Sequence, residues 1–219
     1  MTSHTILGVR VDDVSADDVA ALFATWLDGN TQHVVVTPNP EFISLAQRDT
    51  EFRDILNAAD LALPDGVGLK LAVPSLHRTT GADALELLTA LCGERGLRIV
   101  TLGSSSADVD AGPVVDELSD AVIANVADRH PHVIAVGLGQ GKQEKIIARH
   151  RSQWPTAKIL IGVGGAIDMR AGVQRRAPAL LRRIGLEWLW RLVTQPRRLR
   201  RIVNAVIVFP ALLLRSKFL

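Results

Sequence analysis

In LALPDGVGLK, residues 61–70, a single carboxylate, Asp65, stands between a proline and a glycine at the end of an apolar run. Two kinds of chemistry are open to it. An aspartate at a strand-to-helix junction can cap the following helix, here one starting near Gly66, by accepting an amide hydrogen bond. At the mouth of a sheet, a partly desolvated carboxylate can instead act as a general base and take a proton from an attacking hydroxyl. The same oxygens would serve either role. Thr37 and Asn39 bracket Pro38 in TPNP, a loop whose donors and side-chain amide could hold a sugar or phosphate, although Asx-turn chemistry explains the same residues. VIAVGLGQGKQE, residues 133–144, reads as strand, glycine loop and helix, the order of a phosphate-binding turn. Its glycines are spaced G-x-G-x-G and no acid ends the next strand at the usual distance, so a nicotinamide dinucleotide is disfavoured.

Other groups carry less. Asp108 and Asp110 form a D-x-D, a spacing that can bind a divalent metal, but they lie in a Ser/Ala/Gly-rich stretch before a helix, where a solvated N-terminal charge cluster is the plainer reading. The histidines at 4, 33, 77, 130, 132 and 150 show no ligand spacing, and G-x-S-x-G is absent, which removes zinc and nucleophile-elbow hydrolase readings. The single cysteine, Cys92, rules out an intramolecular disulfide and fits a cytoplasmic protein. The N-terminus has neither the basic start nor the apolar stretch of a signal peptide.

Charge is distributed unevenly. Residues 170–219 hold twelve Arg and Lys against one acid, Glu187, a net +11 within a chain of net +2, which leaves about −9 on the first 169 residues. An acidic body with a basic tail points to a polyanionic partner: a membrane surface, a nucleic acid or a phosphorylated substrate. In the tail, Leu186, Leu189, Trp190 and Val193 line one helical face up to Pro196, and Leu199, Ile202, Val203, Val206 and Ile207 line another up to Pro210. The apolar run 202–214 spans 13 residues, whereas a bilayer span needs about 20. Arginine-rich and tipped with Leu, Phe and Trp, the segment suits an anionic membrane surface better than nucleic acid.

These residues need elements to position them. Ser15 and Asp18 form a capping-box pattern, followed by Val19, Leu22, Phe23, Trp26 and Leu27 at helical spacing, ending near Gly29. Apolar runs at 33–37, 61–64, 98–103, 133–139 and 159–165 then alternate with helical patterns at 83–95, 114–126 and 142–149. This predicts an α/β, Rossmann-like, mostly parallel sheet flanked by helices, with a basic amphipathic helical C-terminal appendage. Such sheets bind ligands at the carboxyl ends of their strands. TPNPE, PDGVG, GSSS, GLGQGKQE and GVGGAID all fall there. The expected division is a body over 1–170 and a tail over 171–219.

In order along the chain, TPNPEF, NAADLALPDGVGL, RTTGAD, VGLGQGKQE, GVGGAIDMRAG, RRAP and GLEWLWRLVTQPRRLRR resemble the WecG/TagA/CpsF family, glycosyltransferase family 26. The resemblance implies an inverting transfer, without metal or other cofactor, of an N-acetylmannosamine-type sugar from a UDP donor. The acceptor would be an N-acetylglucosamine on undecaprenyl diphosphate, in teichoic acid or related cell-surface polysaccharide synthesis. By the same resemblance Asp65 matches the general base, and Thr37 and Asn39 match pocket residues beside it. Arg78 and Gln143 match substrate-contacting positions, and Arg191, Arg198 and Arg201 match tail arginines that close over the donor diphosphate.

The implied location is cytoplasmic, peripheral on the inner face of the membrane, with no nucleic acid as partner. The family pattern usually has proline at Gly141 and phenylalanine at Ile167. The stretch between TLGSSS and HPHVIAVGLG looks short by about one strand and its helix, and that between Asp65 and Arg78 is short as well. The rival reading is a non-catalytic module that binds membrane or nucleic-acid phosphate through the tail.

Overall fold

The computed structural model describes residues 1–103, 106–112, 117–174, 177–178, 181, 187–194 and 199–216. Its centre is a six-stranded parallel sheet in the order β4-β3-β8-β7-β5-β6. The strands are β3 (His33–Val36), β4 (Leu61–Ala62), β5 (Ile99–Gly103), β6 (Val109–Asp110), β7 (Val133–Val136) and β8 (Ile159–Gly162). β7 and β8 are buried throughout, which is why they read as unbroken apolar runs rather than as alternation.

Alternate residues of each strand feed two cores. Val34, Val36, Ile134, Val136 and Leu160 face one, while Val35, Val133, Ala135, Ile159 and Ile161 face the other. On the second face lie α1 (Ala16–Asp28), α4 (Gly81–Glu94) and α7 (Ala166–Arg170). Ser15 caps α1 by accepting from the Asp18 N–H (3.2 Å), and Val19, Phe23 and Leu27 are its buried face, as the spacing predicts. On the first face lie α2 (Pro40–Ala46), α3 (Thr50–Ala58), α5 (Asp120–Asp128) and α6 (Lys142–His150).

The apolar patterning does not announce α2, α3 or the N-terminal hairpin of β1 (Thr2–Ile6) and β2 (Val9–Asp13). Asp12 of the hairpin is buried. Its carboxylate accepts the Ala62 N–H of β4 (2.8 Å) and the Ser3 hydroxyl (2.7 Å). The helix expected from 114 begins at Asp120 instead, because Ser119 caps it with its side chain on the Val122 N–H; residues 114–116 lie outside the described residues.

The tail also departs from expectation. Helices α8 (Glu187–Thr194), α9 (Leu199–Val203) and α10 (Phe209–Ser216) follow, and Pro210 ends nothing: a π-helical turn, Asn204–Val208, precedes it. A wide turn of this kind re-routes carbonyl partners where proline lacks an N–H. Phe209 is fully buried in the same core as Phe42 and Ile43 of α2, and the π turn and α10 both contact α2. Leu199, Val203, Val206, Ile207 and Leu214 stay exposed. Among the described residues no helix is long and apolar enough to cross a membrane.

Candidate active site

The loops leaving β3 and β4 are locked together by backbone. The Asp65 N–H donates to the Pro38 carbonyl (2.8 Å). A Cβ on Gly68 would sit 2.6 Å from Pro40 Cγ, far inside contact distance, so PDGVG seats on TPNP only with glycine there. The short 3₁₀ helix Val67–Leu71 that follows has no side-chain cap. The residue at its N-cap position is Gly66, not Asp65. Asp65 is half-buried at the sheet mouth, and its Oδ2 accepts the Gly81 N–H (3.4 Å), the first amide of α4.

α4 is itself fixed by a capping box between Thr80 and Asp83. Its Gly81 lies so close to the sheet that a Cβ would stand 3.4 Å from Val163 Cα and 3.6 Å from Thr37 Oγ1. Buried Thr37 donates its hydroxyl to the Gly162 carbonyl at the end of β8 (3.2 Å). Thr37, Asp65 and the α4 N-terminus thus meet over the adjacent ends of β4, β3 and β8. Asn39 caps α2 by accepting from the Phe42 N–H (2.9 Å); its Cβ lies 3.8 Å from where a Gly66 side chain would begin.

Arg78 stands three residues before Gly81 and is half-exposed. Its neighbour His77 is clasped by Asp13, whose Oδ1 accepts the His77 N–H (2.8 Å) and lies 2.8 Å from Nδ1. The His77 backbone bond is the main reason the Asp13 carboxyl is held below its usual range. Gln143 is buried, and its amide faces Gly164 N and Glu144 rather than the pocket mouth.

Arg201 reaches the mouth from the tail: Nε donates to Glu41 of the TPNPE loop (2.8 Å) and Nη2 to Gln140 of the loop after β7 (3.3 Å). Arg191 lies on α8, with its side chain outside the described residues, and Arg198 lies wholly outside them. Glu41, Glu144 and the Gly81 N–H were not singled out from sequence. For Glu144 the available signal was its place three residues after Gly141, the acid position of a capping box.

Asp108 and Asp110 form no helix-terminal cluster. Asp108 Oδ2 accepts both the N–H and the hydroxyl of Thr101 (2.8 Å each), and Asp110 Oδ1 accepts the Gly112 N–H (2.8 Å), which ties the stub β6 to β5. Among the described residues no group of three or more His, Cys, Asp or Glu is placed to hold a metal ion.

The Glycosyl transferase WecG/TagA/CpsF family profile matches residues 4–112 and 105–219. The chain belongs to the WecG/TagA/CpsF family. The two matched segments overlap at 105–112, the stretch that holds the two-residue β6. It is similar to an N-acetylglucosaminyldiphosphoundecaprenol N-acetyl-beta-D-mannosaminyltransferase of Bacillus spizizenii, 30% identical across 89% of this chain and 84% of that protein. A protein of the same name from Staphylococcus aureus is 25% identical across 92% of this chain and 89% of its own length. Membership of the WecG/TagA/CpsF family supports sugar transfer in general terms. At Gly141, where the resemblance led to an expectation of proline, the backbone takes φ +79° and its N–H donates to Glu144 (2.8 Å), both closed to proline.

Proposed function

We propose that this protein is an inverting glycosyltransferase that moves an N-acetylmannosamine-type sugar from a UDP donor to a hydroxyl of polyprenyl-diphosphate-linked N-acetylglucosamine, in cell-surface polysaccharide or teichoic acid synthesis. The observation that carries the reading is the Asp65 carboxylate, half-buried at the sheet mouth beside Thr37 and oriented by the first amide of α4.

In the reaction, Asp65 takes the proton of the acceptor hydroxyl as its oxygen bonds to the anomeric carbon. The bond from that carbon to the donor phosphate breaks on the opposite face, and UDP leaves with the electron pair. Negative charge grows on the diphosphate, and fixed cations there lower the barrier. Arg201, already at the mouth, supplies one; Arg191 and Arg198 are assigned to the same task and Arg78 to substrate contact, so the mechanism calls on no metal. Thr37 and Asn39 line the sugar side, and Gln143 acts from beneath it.

The acceptor is lipid-linked, so the enzyme works at a membrane. The exposed stripe of Leu199, Val203, Val206, Ile207 and Leu214 beside the tail arginines supports a peripheral seat on the anionic inner face, a surface that suits lipid better than nucleic acid.

The test is UDP release from UDP-N-acetylmannosamine in the presence of a lipid-diphosphate N-acetylglucosamine analogue. Wild type releases UDP, and Asp65→Asn loses roughly 10²–10⁴-fold in kcat. Release that survives the substitution removes Asp65 as the base; no release from any UDP-sugar, together with tight binding to DNA or vesicles, favours a non-catalytic binding module.

A further inference from the structure

Gln143 and Glu144, consecutive in the chain, are each 1% exposed although both end in polar groups. Those groups form one chain of hydrogen bonds. The Gly141 N–H donates to Glu144 Oε2 (2.8 Å), Gln143 Nε2 donates to Glu144 Oε1 (2.6 Å), and the Gly164 N–H donates to Gln143 Oε1 (3.0 Å). Gly162 makes room for this, since a Cβ there would stand 2.6 Å from Gln143 Nε2 and 2.7 Å from Glu144 Oε1. The Gly162 carbonyl in turn accepts the Thr37 hydroxyl. The hydrogen bonds therefore run from the loop after β7, through two buried side chains, to the loop after β8, and Gly162, packed against both side chains, connects them to Thr37 just after β3.

A side-chain amide has a donor end and an acceptor end of nearly the same shape, and its neighbours decide which way it points. Here an ionised carboxylate accepts and cannot donate, so the amide nitrogen must face Glu144. The oxygen is then left facing the Gly164 N–H. Reversing the amide would set acceptor against acceptor at Glu144 and donor against donor at Gly164, with both side chains almost wholly buried.

We propose that Glu144 is a positioning residue for the transfer reaction: its carboxylate fixes the orientation of the Gln143 amide, and through it holds the Gly162–Gly165 loop against Thr37 in the shape that receives the UDP-sugar. This rests on the glycosyltransferase reading of the site.

The electrostatic setting fits. Burial pushes the Glu144 carboxyl up to about 7, against the lowering effect of hydrogen bonds from Gln143, its own backbone and Gly141. A neutral carboxyl can donate as well as accept, so protonation releases its hold on the amide. Charged groups on α6 and on the neighbouring elements have partners of their own: Asp49 and Glu51 of α3 with Lys145 of α6 (2.9 and 2.7 Å), Arg149 with Glu51, Arg151 with Gln32, and Arg201 with Glu41.

The test uses the full chain, ¹⁵N-labelled, and follows the Gly141 and Gly164 amide resonances across neutral pH. Both are expected to shift together with a midpoint near 7. In Glu144→Gln the transition disappears from both, and the KM for the UDP-sugar rises about tenfold while kcat stays within about threefold. In Gln143→Ala, Gly141 still titrates and Gly164 no longer does. Gly164 remaining still while Gly141 titrates in wild type, or an unchanged KM in Glu144→Gln, overturns the proposal. Where the Glu144 variant does not fold, the wild-type titration decides. If wild type releases no UDP from any UDP-sugar, the glycosyltransferase reading falls alone, and joint or separate titration of Gly141 and Gly164 still decides whether Glu144 holds the loop.

Discussion

Arg201 Nε lies 2.8 Å from Oε1 and 3.1 Å from Oε2 of Glu41, across 160 residues of chain. This single ion pair brings a tail guanidinium to the first turn of α2, next to Asn39 and within reach of Gln140. A planar guanidinium that serves two oxygens of a carboxylate is also the right shape for two oxygens of a diphosphate. Arg201→Lys keeps the charge and loses the fork. Its expected effect is a fall in transfer of roughly tenfold to a hundredfold, the worth of one charge-assisted hydrogen bond. Steady-state UDP release measures it, and a lysine variant as fast as wild type removes Arg201 from the donor site.

Gly68→Ala tests the interlock between PDGVG and TPNP. The added methyl meets Pro40 Cγ at 2.6 Å, and a proline ring has little room to yield. Overpacking of this kind costs about 1–3 kcal/mol. The two loops must part, so transfer should fall by more than the stability loss explains. Urea unfolding paired with UDP-release kinetics separates the two; a variant with normal turnover shows that the acid does not depend on the interlock.

The tail gives Phe209 to the core and other described residues to a surface. Phe209→Ala should destabilise the chain by about 3–5 kcal/mol, because Phe209 is wholly buried with α2. Leu199→Asp with Ile207→Asp should leave stability within about 0.5 kcal/mol, since both side chains are more than half exposed, yet abolish co-sedimentation with phosphatidylglycerol vesicles. Undiminished vesicle binding by the double variant would refute the membrane role of that stripe.

Glu144 sets a pH dependence of stability whose sign is opposite to that of a salt-bridged acid. Its folded pKa is raised from 4.5 to about 7, so the folded state holds a proton that the unfolded chain has released. The associated stability is full below about 4.5 and is lost as pH rises through 7, a loss of about 3 kcal/mol. Glu144→Gln should flatten this slope and be relatively more stable at pH 8. Chemical denaturation at several pH values reads it directly, and parallel slopes for variant and wild type would contradict the assignment.

Much of the sheet was legible because parallel strands covered on both faces must be apolar throughout, as in β7 and β8. The hairpin was not, because Arg10, Asp12 and Asp13 break its apolar pattern, and Asp12 is buried to satisfy a neighbouring strand rather than to face water. Helix α2 hid inside TPNPE, where Asn39 as cap and Pro40 at the first turn are a start signal that also reads as a loop. Asp65 could be placed at a strand end from its proline and glycine. Its partner could not, since the Gly81 N–H is sixteen residues on and is delivered by the packing of α4. Gln143 at the opening of a helix reads as exposed; the absent side chain at Gly162 is what draws it inward.

The carboxylate of Asp12 on the Ala62 N–H has one more effect. β4 is the last strand on its side of the sheet, and a free edge there would offer hydrogen-bonding groups to any other extended chain. With that amide already engaged by a buried acid, and the Ala59 carbonyl just before the strand taken by the Arg10 guanidinium, the edge nearest the candidate base is closed to strand addition. Two molecules brought close together cannot join sheets there, and the strand that leads into Asp65 is shielded from a common route to aggregation.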